Sequence, residues 1–210
     1  MRITKKKHLE MKLQSIPSHP NPKVGLEQYS TPSVIASDLI WNAVSLGDIE
    51  NRNILDLGCG SGIFTIASAL MGANIAYGVD VDDDSIHLAE VTSQKFDLDN
   101  VNFILSDVND FNCSFDADTV IQNPPFGSQR KAENGQDLNF VKKAVEINPE
   151  VLYSFHMAST EEFLLKFYQD SNLNITHIFR YNFPIPKIYE FHTKEKQNVN
   201  VIAIRALTDF

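Results

Sequence analysis

The sequence predicts an α/β protein: a seven-stranded, mostly parallel sheet with helices on both faces and an antiparallel hairpin at its C-terminal end. Three observations carry this expectation. From residue 53 onward, short apolar runs alternate with amphipathic segments, the pattern of parallel strands joined by crossover helices. A glycine-rich turn, residues 58–62, separates the first apolar run from the helix that follows it. Near the C-terminus the alternation breaks, because two β-rich runs, 175–182 and 199–206, are joined by residues 184–198 with no helical pattern between them, so they should pair antiparallel.

The elements follow in order. Residues 1–14 place Arg2, Lys5, Lys6, Lys7 and Lys12 among the loosely periodic Ile3, Leu9, Met11 and Leu13, which reads as a short, basic, solvated helix. Pro17, Pro20 and Pro22 forbid regular structure in the next loop. Thr31 suits a helix N-cap and Pro32 the first helical position, so a helix should run from there to about Leu46, burying Val34, Ile35, Leu39, Ala43 and Val44. Strands are expected at 53–57, 75–79, 101–105, 119–122 and 151–155 ahead of the two hairpin runs. Helices are expected at 63–71, 85–96, 137–147 and 160–170, the last with Ser159 and Glu162 spaced as a capping box. The 210 residues suit one domain, with residues 1–50 as a basic arm and covering helix and 51–210 as the core.

Composition narrows the function. A net charge of −9 means the body as a whole is not drawn to polyanions, so any nucleic-acid contact must come from local basic patches. Candidates are the N-terminal lysines, Gln129-Arg130-Lys131, and Lys187, His192, Lys194 and Lys196. Cys59 and Cys113 have neither disulfide-framework nor zinc-ligand spacing, so no metal site is expected and both thiols read as inert packing residues of a protein in the reducing cytosol. No apolar run approaches the roughly 20 residues of a membrane span, and the basic N-terminus does not lead into a signal core. A soluble, cytoplasmic protein is expected.

Two stretches carry chemistry. Asp56-Leu57-Gly58-Cys59-Gly60-Ser61-Gly62 closes the first strand and opens a helix, where glycines let a ligand approach the backbone at the carboxyl end of the sheet. It lacks the Lys-Ser/Thr of a phosphate-transfer loop. Asp80 ends the second strand, placed to accept from a ribose diol, and Asp107-Val108 follows the third, where a carboxylate can accept from an adenine amine. The second stretch, Asn123-Pro124-Pro125-Phe126, sets a rigid corner after the fourth strand, with an amide that both donates and accepts and an aromatic face suited to stacking. Gln28 and Tyr29, just ahead of the first long helix, have no evident packing reason and sit where a ligand is lined. His156 reads as a hydrogen-bonded structural histidine.

Together these motifs resemble the class I S-adenosylmethionine-dependent methyltransferases, which have a Rossmann-like fold, and Asn123–Phe126 resembles the Asn-Pro-Pro-aromatic motif of those that act on amino groups. More narrowly, Leu26–Tyr29 with Thr31-Pro32, Asp56–Gly62, Asn123–Gly127, Tyr153–His156 and Phe191-His192 resemble, in order, the small-subunit rRNA N6-adenosine methyltransferases of the methyltransferase-like protein 5 family and their archaeal relatives. The resemblance covers nearly the whole chain. It implies S-adenosyl-L-methionine as cofactor, held by Asp56, Gly58, Gly60, Ser61, Gly62, Ile63, Asp80, Asp107 and Val108 and covered by Gln28, Tyr29 and Thr31. It implies acceptor chemistry at Asn123, Pro124, Pro125 and Phe126, an RNA substrate in the small ribosomal subunit, and a small zinc-binding activator subunit paired along the sheet edge. Two departures are Ser61, where animal members are expected to have cysteine, and residues 129–136, which are not matched to the family pattern, so substrate contacts there stay open. A protein glutamine amide or a DNA adenine remains an alternative acceptor, and a catalytically idle assembly subunit a further alternative.

Overall fold

The computed structural model describes residues 3–23, 26, 28, 30–126, 136–186 and 196–208. Helices α1 (Lys6–Leu13) and α2 (Ser33–Ser45) precede β1 (Asn53–Leu57), α3 (Ile63–Leu70), β2 (Ile75–Asp80), α4 (Asp83–Lys95), β3 (Val101–Leu105), β4 (Thr119–Gln122), α5 (Gln136–Ile147), β5 (Val151–Met157), α6 (Glu161–Asp170), β6 (Leu173–Pro186) and β7 (Lys196–Thr208). The strands form one sheet in the order β3-β2-β1-β4-β5-β7-β6. The first five pair in parallel, and β7 runs antiparallel to both β5 and β6. The expected fold is therefore the observed one, with the topological switch between β1 and β4.

Period-two alternation explains the two cores. Ile54, Ile121, Tyr153 and Phe155 point to one face, where they meet Leu9, Leu13, Leu39, Ile40 and Phe64 of α1–α3. Leu55, Val120, Leu152 and Ile204 point to the other, against Val141 and Ala144 of α5 and Leu164 and Tyr168 of α6. Both faces of the central strands are covered, which is why these strands are apolar almost throughout.

Several local expectations are corrected. Helix α1 is anchored rather than fully solvated: Leu9 and Leu13, one turn apart, are buried, and Lys6 pairs with Asp38 at 2.7 Å. Helix α2 starts at Ser33 with Pro32 in the cap position and no side-chain cap, so Thr31 does not cap it. Its buried stripe is Ile35, Ala36, Leu39, Ile40 and Ala43; Val34 is turned outward, 54% exposed, and Val44 is half-buried. The capping box is absent, because Ala158–Thr160 form a short 3-10 turn, Thr160 makes no side-chain cap, and α6 begins at Glu161. Glu161 instead takes a two-pronged ion pair from Arg180, with nitrogen–oxygen distances of 2.6 and 2.8 Å. The hairpin strands extend further than expected, since antiparallel pairing continues through polar residues as far as Pro186 and Lys196.

At the N-terminal ends of the central strands a buried ion pair joins five segments. Arg205 donates to both carboxylate oxygens of Asp48, at 2.7 and 2.9 Å, and to Thr176 at 2.7 Å. Tyr153 donates to the same carboxylate at 2.6 Å, and Thr119 donates to the Asp48 carbonyl at 2.7 Å. The turn after α2 is thereby fastened to β4, β5, β6 and β7.

Candidate active site

A cavity of about 260 Å³ opens at the carboxyl ends of β1–β4, where ligands enter open α/β sheets. Its floor is the turn after β1. Gly58 has φ +71°, and a side chain there would meet the Phe140 ring 2.9 Å from its Cβ. Gly62, at the cap of α3 with φ +77°, has Ala89 and Phe103 within about 3 Å of where a Cβ would stand, so the turn fits glycine alone at both places. Gly58 and Cys59 both donate their backbone N–H to the Val79 carbonyl, which ties the turn to β2. Gly60 donates to the Asp80 carboxylate at 2.8 Å, and the Asp82 N–H donates to the other Asp80 oxygen at 2.9 Å. Burial pushes the Asp80 carboxyl above the usual carboxylate range against these two bonds, which hold it oriented toward the cavity it lines.

The candidate residues separate into three groups. Gln28, Thr31, Gly58, Gly60, Ser61, Ile63, Asp80, Asp107, Val108, Asn123 and Pro125 line the cavity. Asp56, Gly62, Pro124 and Phe126 stand behind its wall. Asp56 is buried and accepts from the Thr65 N–H at 3.0 Å and hydroxyl at 2.8 Å, so it fastens α3 to β1, and burial pushes its carboxyl up to about 7. Phe126 meets Phe183 edge-on, with ring centroids 6.1 Å apart, instead of facing the cavity. Tyr29, Arg2, the 129–135 segment, Lys187, Phe191, His192 and Lys194 lie outside the described residues.

The acceptor corner is polar on one side only. The Asn123 amide nitrogen donates to Thr31 Oγ1 at 2.9 Å, while its Oδ1 is buried without a partner. Behind the corner, His156 is fully buried between Asp137 (Nδ1 to Oδ2, 2.9 Å) and Tyr168 (Nε2 to the hydroxyl, 3.0 Å), in the structural role expected of it. Burial raises the Cys59 thiol well above its ordinary value, and Cys113 donates to the Phe115 carbonyl at 3.1 Å, so neither is poised as a nucleophile.

Sequence reasoning expected Gln28 and Thr31 to cover the cavity but missed what fastens His19, Lys23 and Gln28 in place, a strap held by Asp82. Asp82, in the cap position of α4, is buried and gathers His19 (3.1 Å), Lys23, Gln28 (2.8 Å) and Ser85 (2.9 Å). Asn21 N–H donates to His19 Nδ1, and His19 Nε2 lies 3.1 Å from Asp82 Oδ2 without forming a hydrogen bond. His19, Asp82 and Asp84 lie close enough together for a metal ion, but the Lys23 ammonium already pairs with both carboxylates. Burial works against the Asp82 carboxylate, yet the bonds from Lys23, Gln28 and Ser85 outweigh it and hold the pKa at about 2. The depressed value means that its contribution to stability is full above the unfolded value near 4 and is lost as the pH falls toward 2. The stability gap between the wild type and Asp82→Asn in urea titrations should therefore be widest above about pH 4 and close toward pH 2. The acidic run Asp82-Asp83-Asp84 after Asp80 was the available signal, but the partners of Asp82 from the strap are 54 to 63 residues upstream.

A glycine turn after β1, acids after β2 and β3, an Asn-Pro-Pro corner after β4 and a terminal antiparallel pair define a class, the class I methyltransferase architecture. Comparison with known proteins agrees. Residues 34–149 match the family model of the methyltransferase small domain. The chain is 41% identical to an uncharacterized protein of Methanocaldococcus jannaschii over 97% of its own length and 94% of the relative's. It is 33% identical to the rRNA N(6)-adenosine-methyltransferase METTL5 of Danio rerio, covering 96% of this chain and 98% of that one. The crystal structure of a candidate RNA methyltransferase from Pyrococcus horikoshii is 37% identical, with a TM-score of 0.88 over 99% of this chain and 100% of that one. The chain belongs to the methyltransferase small-domain family and, within it, to the group formed by METTL5 and its archaeal relatives.

Proposed function

We propose that this protein transfers a methyl group from S-adenosyl-L-methionine to the N6 amine of an adenosine in small-subunit rRNA. The observation that carries the reading is the buried, unpartnered Oδ1 of Asn123, a residue that lines the cavity, an acceptor that a small shift of the corner would offer to a donor such as an exocyclic amine. The cavity residues fit the cofactor: Asp80 is held by backbone N–H groups with lone pairs left for a ribose diol, Asp107 and Val108 flank the place for an adenine, and the positive-φ glycines leave room beside the backbone. When bound, the sulfonium supplies an electrophilic methyl group.

The chain's own work is positioning. An adenine amine has its lone pair delocalised into the ring. Hydrogen bonds from that amine to Asn123 Oδ1 and, after a shift that brings it out from behind the cavity wall, to the Pro124 carbonyl would hold it in line and favour a tetrahedral nitrogen as positive charge develops. Pro124 and Pro125 fix the direction of these acceptors, and no strong general base is needed. Phe126, against Phe183, supports the corner from behind and reaches a base only by turning its ring. An adenosine must be unpaired or flipped to enter. The exposed Lys5–Lys7 offer local positive charge for the RNA backbone.

The open edge at β3, with Leu105 53% exposed, supports a zinc-binding activator subunit paired along the sheet. Residues 1–210 act in this reading as one catalytic domain in the cytoplasm; no helix among the described residues is long and apolar enough to cross a membrane. Calorimetry with S-adenosylhomocysteine tests the cofactor assignment: Asp80→Ala should weaken binding by roughly 10- to 100-fold, the worth of a hydrogen bond to a charged group, and unchanged affinity would remove Asp80 from the site. Offering protein, duplex DNA and RNA with labelled cofactor tests the acceptor. Label confined to RNA supports the reading, while label in protein favours glutamine-amide methylation.

A further inference from the structure

An amide side chain is useful as an acceptor only if its nitrogen is held elsewhere. In Asn123 the nitrogen is held by Thr31 Oγ1 at 2.9 Å, and the oxygen is the atom left without a partner. A buried acceptor left unpaired is costly, so the arrangement is one that a donor entering the cavity would relieve. Thr31 is 8% exposed and lines the cavity, and it does not spend its hydroxyl on capping α2 although it stands beside that helix's start. A hydroxyl can accept or donate, and an amide can turn over by rotation of its last torsion. An incoming amine presents only donors on its N–H edge. It therefore selects the orientation in which Thr31 accepts from the Asn123 nitrogen, the orientation the structure has.

We propose that Thr31 is a positioning residue of the transfer reaction, which fixes the Asn123 amide with its oxygen toward the acceptor amine; this rests on the function proposed above. Thr31 sits 92 residues before Asn123 in the chain and three after Gln28, whose amide donates to Asp82 and Ser85 at the start of α4. One strap is thus fastened to the cofactor side of the cavity through Gln28 and to the acceptor side through Thr31.

The test compares wild type, Thr31→Val and Thr31→Ser, measuring kcat at saturating cofactor and RNA alongside the Kd of S-adenosylhomocysteine. Thr31→Val keeps the shape and removes the hydroxyl. It should lower kcat, read at saturating cofactor, by at least about tenfold through loss of orientation; Thr31 also lines the cofactor cavity, so Kd is read separately and any change in it is not counted as orientation. Thr31→Ser, which keeps the hydroxyl, should stay within about threefold of wild type in both. The same Kd shows that the valine variant is folded; should it not fold, Thr31→Ala, which adds no bulk, takes its place in the comparison. An unchanged kcat in the hydroxyl-free variant, a loss confined to Kd, or a serine variant as slow as the valine one would each overturn the proposal. A wild-type protein that methylates no adenine would overturn the parent reading and Thr31's role with it.

Discussion

Asn123→Ala should cut kcat by roughly a thousandfold, the scale of losing a preorganised electrostatic contact to the reacting group, and leave S-adenosylhomocysteine binding within about threefold. The split follows from where the side chain stands. Its oxygen has no partner and its nitrogen bonds only to Thr31, so a single bond links it to the residues expected to cover the cofactor. The cofactor residues are held by other bonds: Asp80 by Gly60 and Asp82, and Gln28 by Asp82 and Ser85. Single-turnover methyl transfer and calorimetry on the same preparation separate the two effects. Near-normal transfer would remove the mechanism, and a large loss of cofactor affinity would mean that Asn123 belongs to the cofactor site instead.

The largest effect on stability should come from Asp48→Ala. Its carboxylate accepts two bonds from Arg205 and one from Tyr153, and all three side chains are buried. Burial, with the Asp48 charge beside it, raises the Tyr153 hydroxyl pKa, so this hydroxyl stays a donor at neutral pH. Removing the carboxylate leaves a guanidinium in the interior, bonded to Thr176, with no carboxylate to balance its charge. Breaking one half of a buried ion pair costs about 3–5 kcal/mol. Urea unfolding should report a loss of that size, whereas a loss below about 1 kcal/mol, typical of an exposed pair, would mean that water replaces the carboxylate. Cofactor affinity should be unaffected, since Asp48 precedes β1 and the cavity lies past its other end.

The sheet was legible in the sequence because its strands are buried on both faces. Runs such as Asn53–Leu57 and Thr119–Gln122 are short, apolar and bounded by turn residues, and their limits coincide with the structure. The glycine turn and the Asn-Pro-Pro corner were legible for a related reason: their backbone requirements are written in residue type. What depends on distant partners was not legible. Thr31 has the composition of a helix cap, and only the arrival of Asn123 diverts its hydroxyl. Asp82 looks like one more acid at a helix start until His19, Lys23 and Gln28 come to it from the strap. Phe126 reads as a stacking face for a base, but Phe183 on the hairpin takes its edge. Val34 was placed on the buried stripe because apolar spacing does not say which way the helix is rotated about its axis.

Nucleoside analysis of small-subunit rRNA tests the central claim most directly. Ribosomal RNA from a strain lacking this gene would be incubated with purified protein and labelled S-adenosylmethionine, with and without a zinc-binding partner, then digested and resolved. The expected result is label in N6-methyladenosine, at a stoichiometry approaching one per small subunit, with none from Asn123→Ala. Cofactor binding without any label in RNA, under both conditions, would contradict the claim.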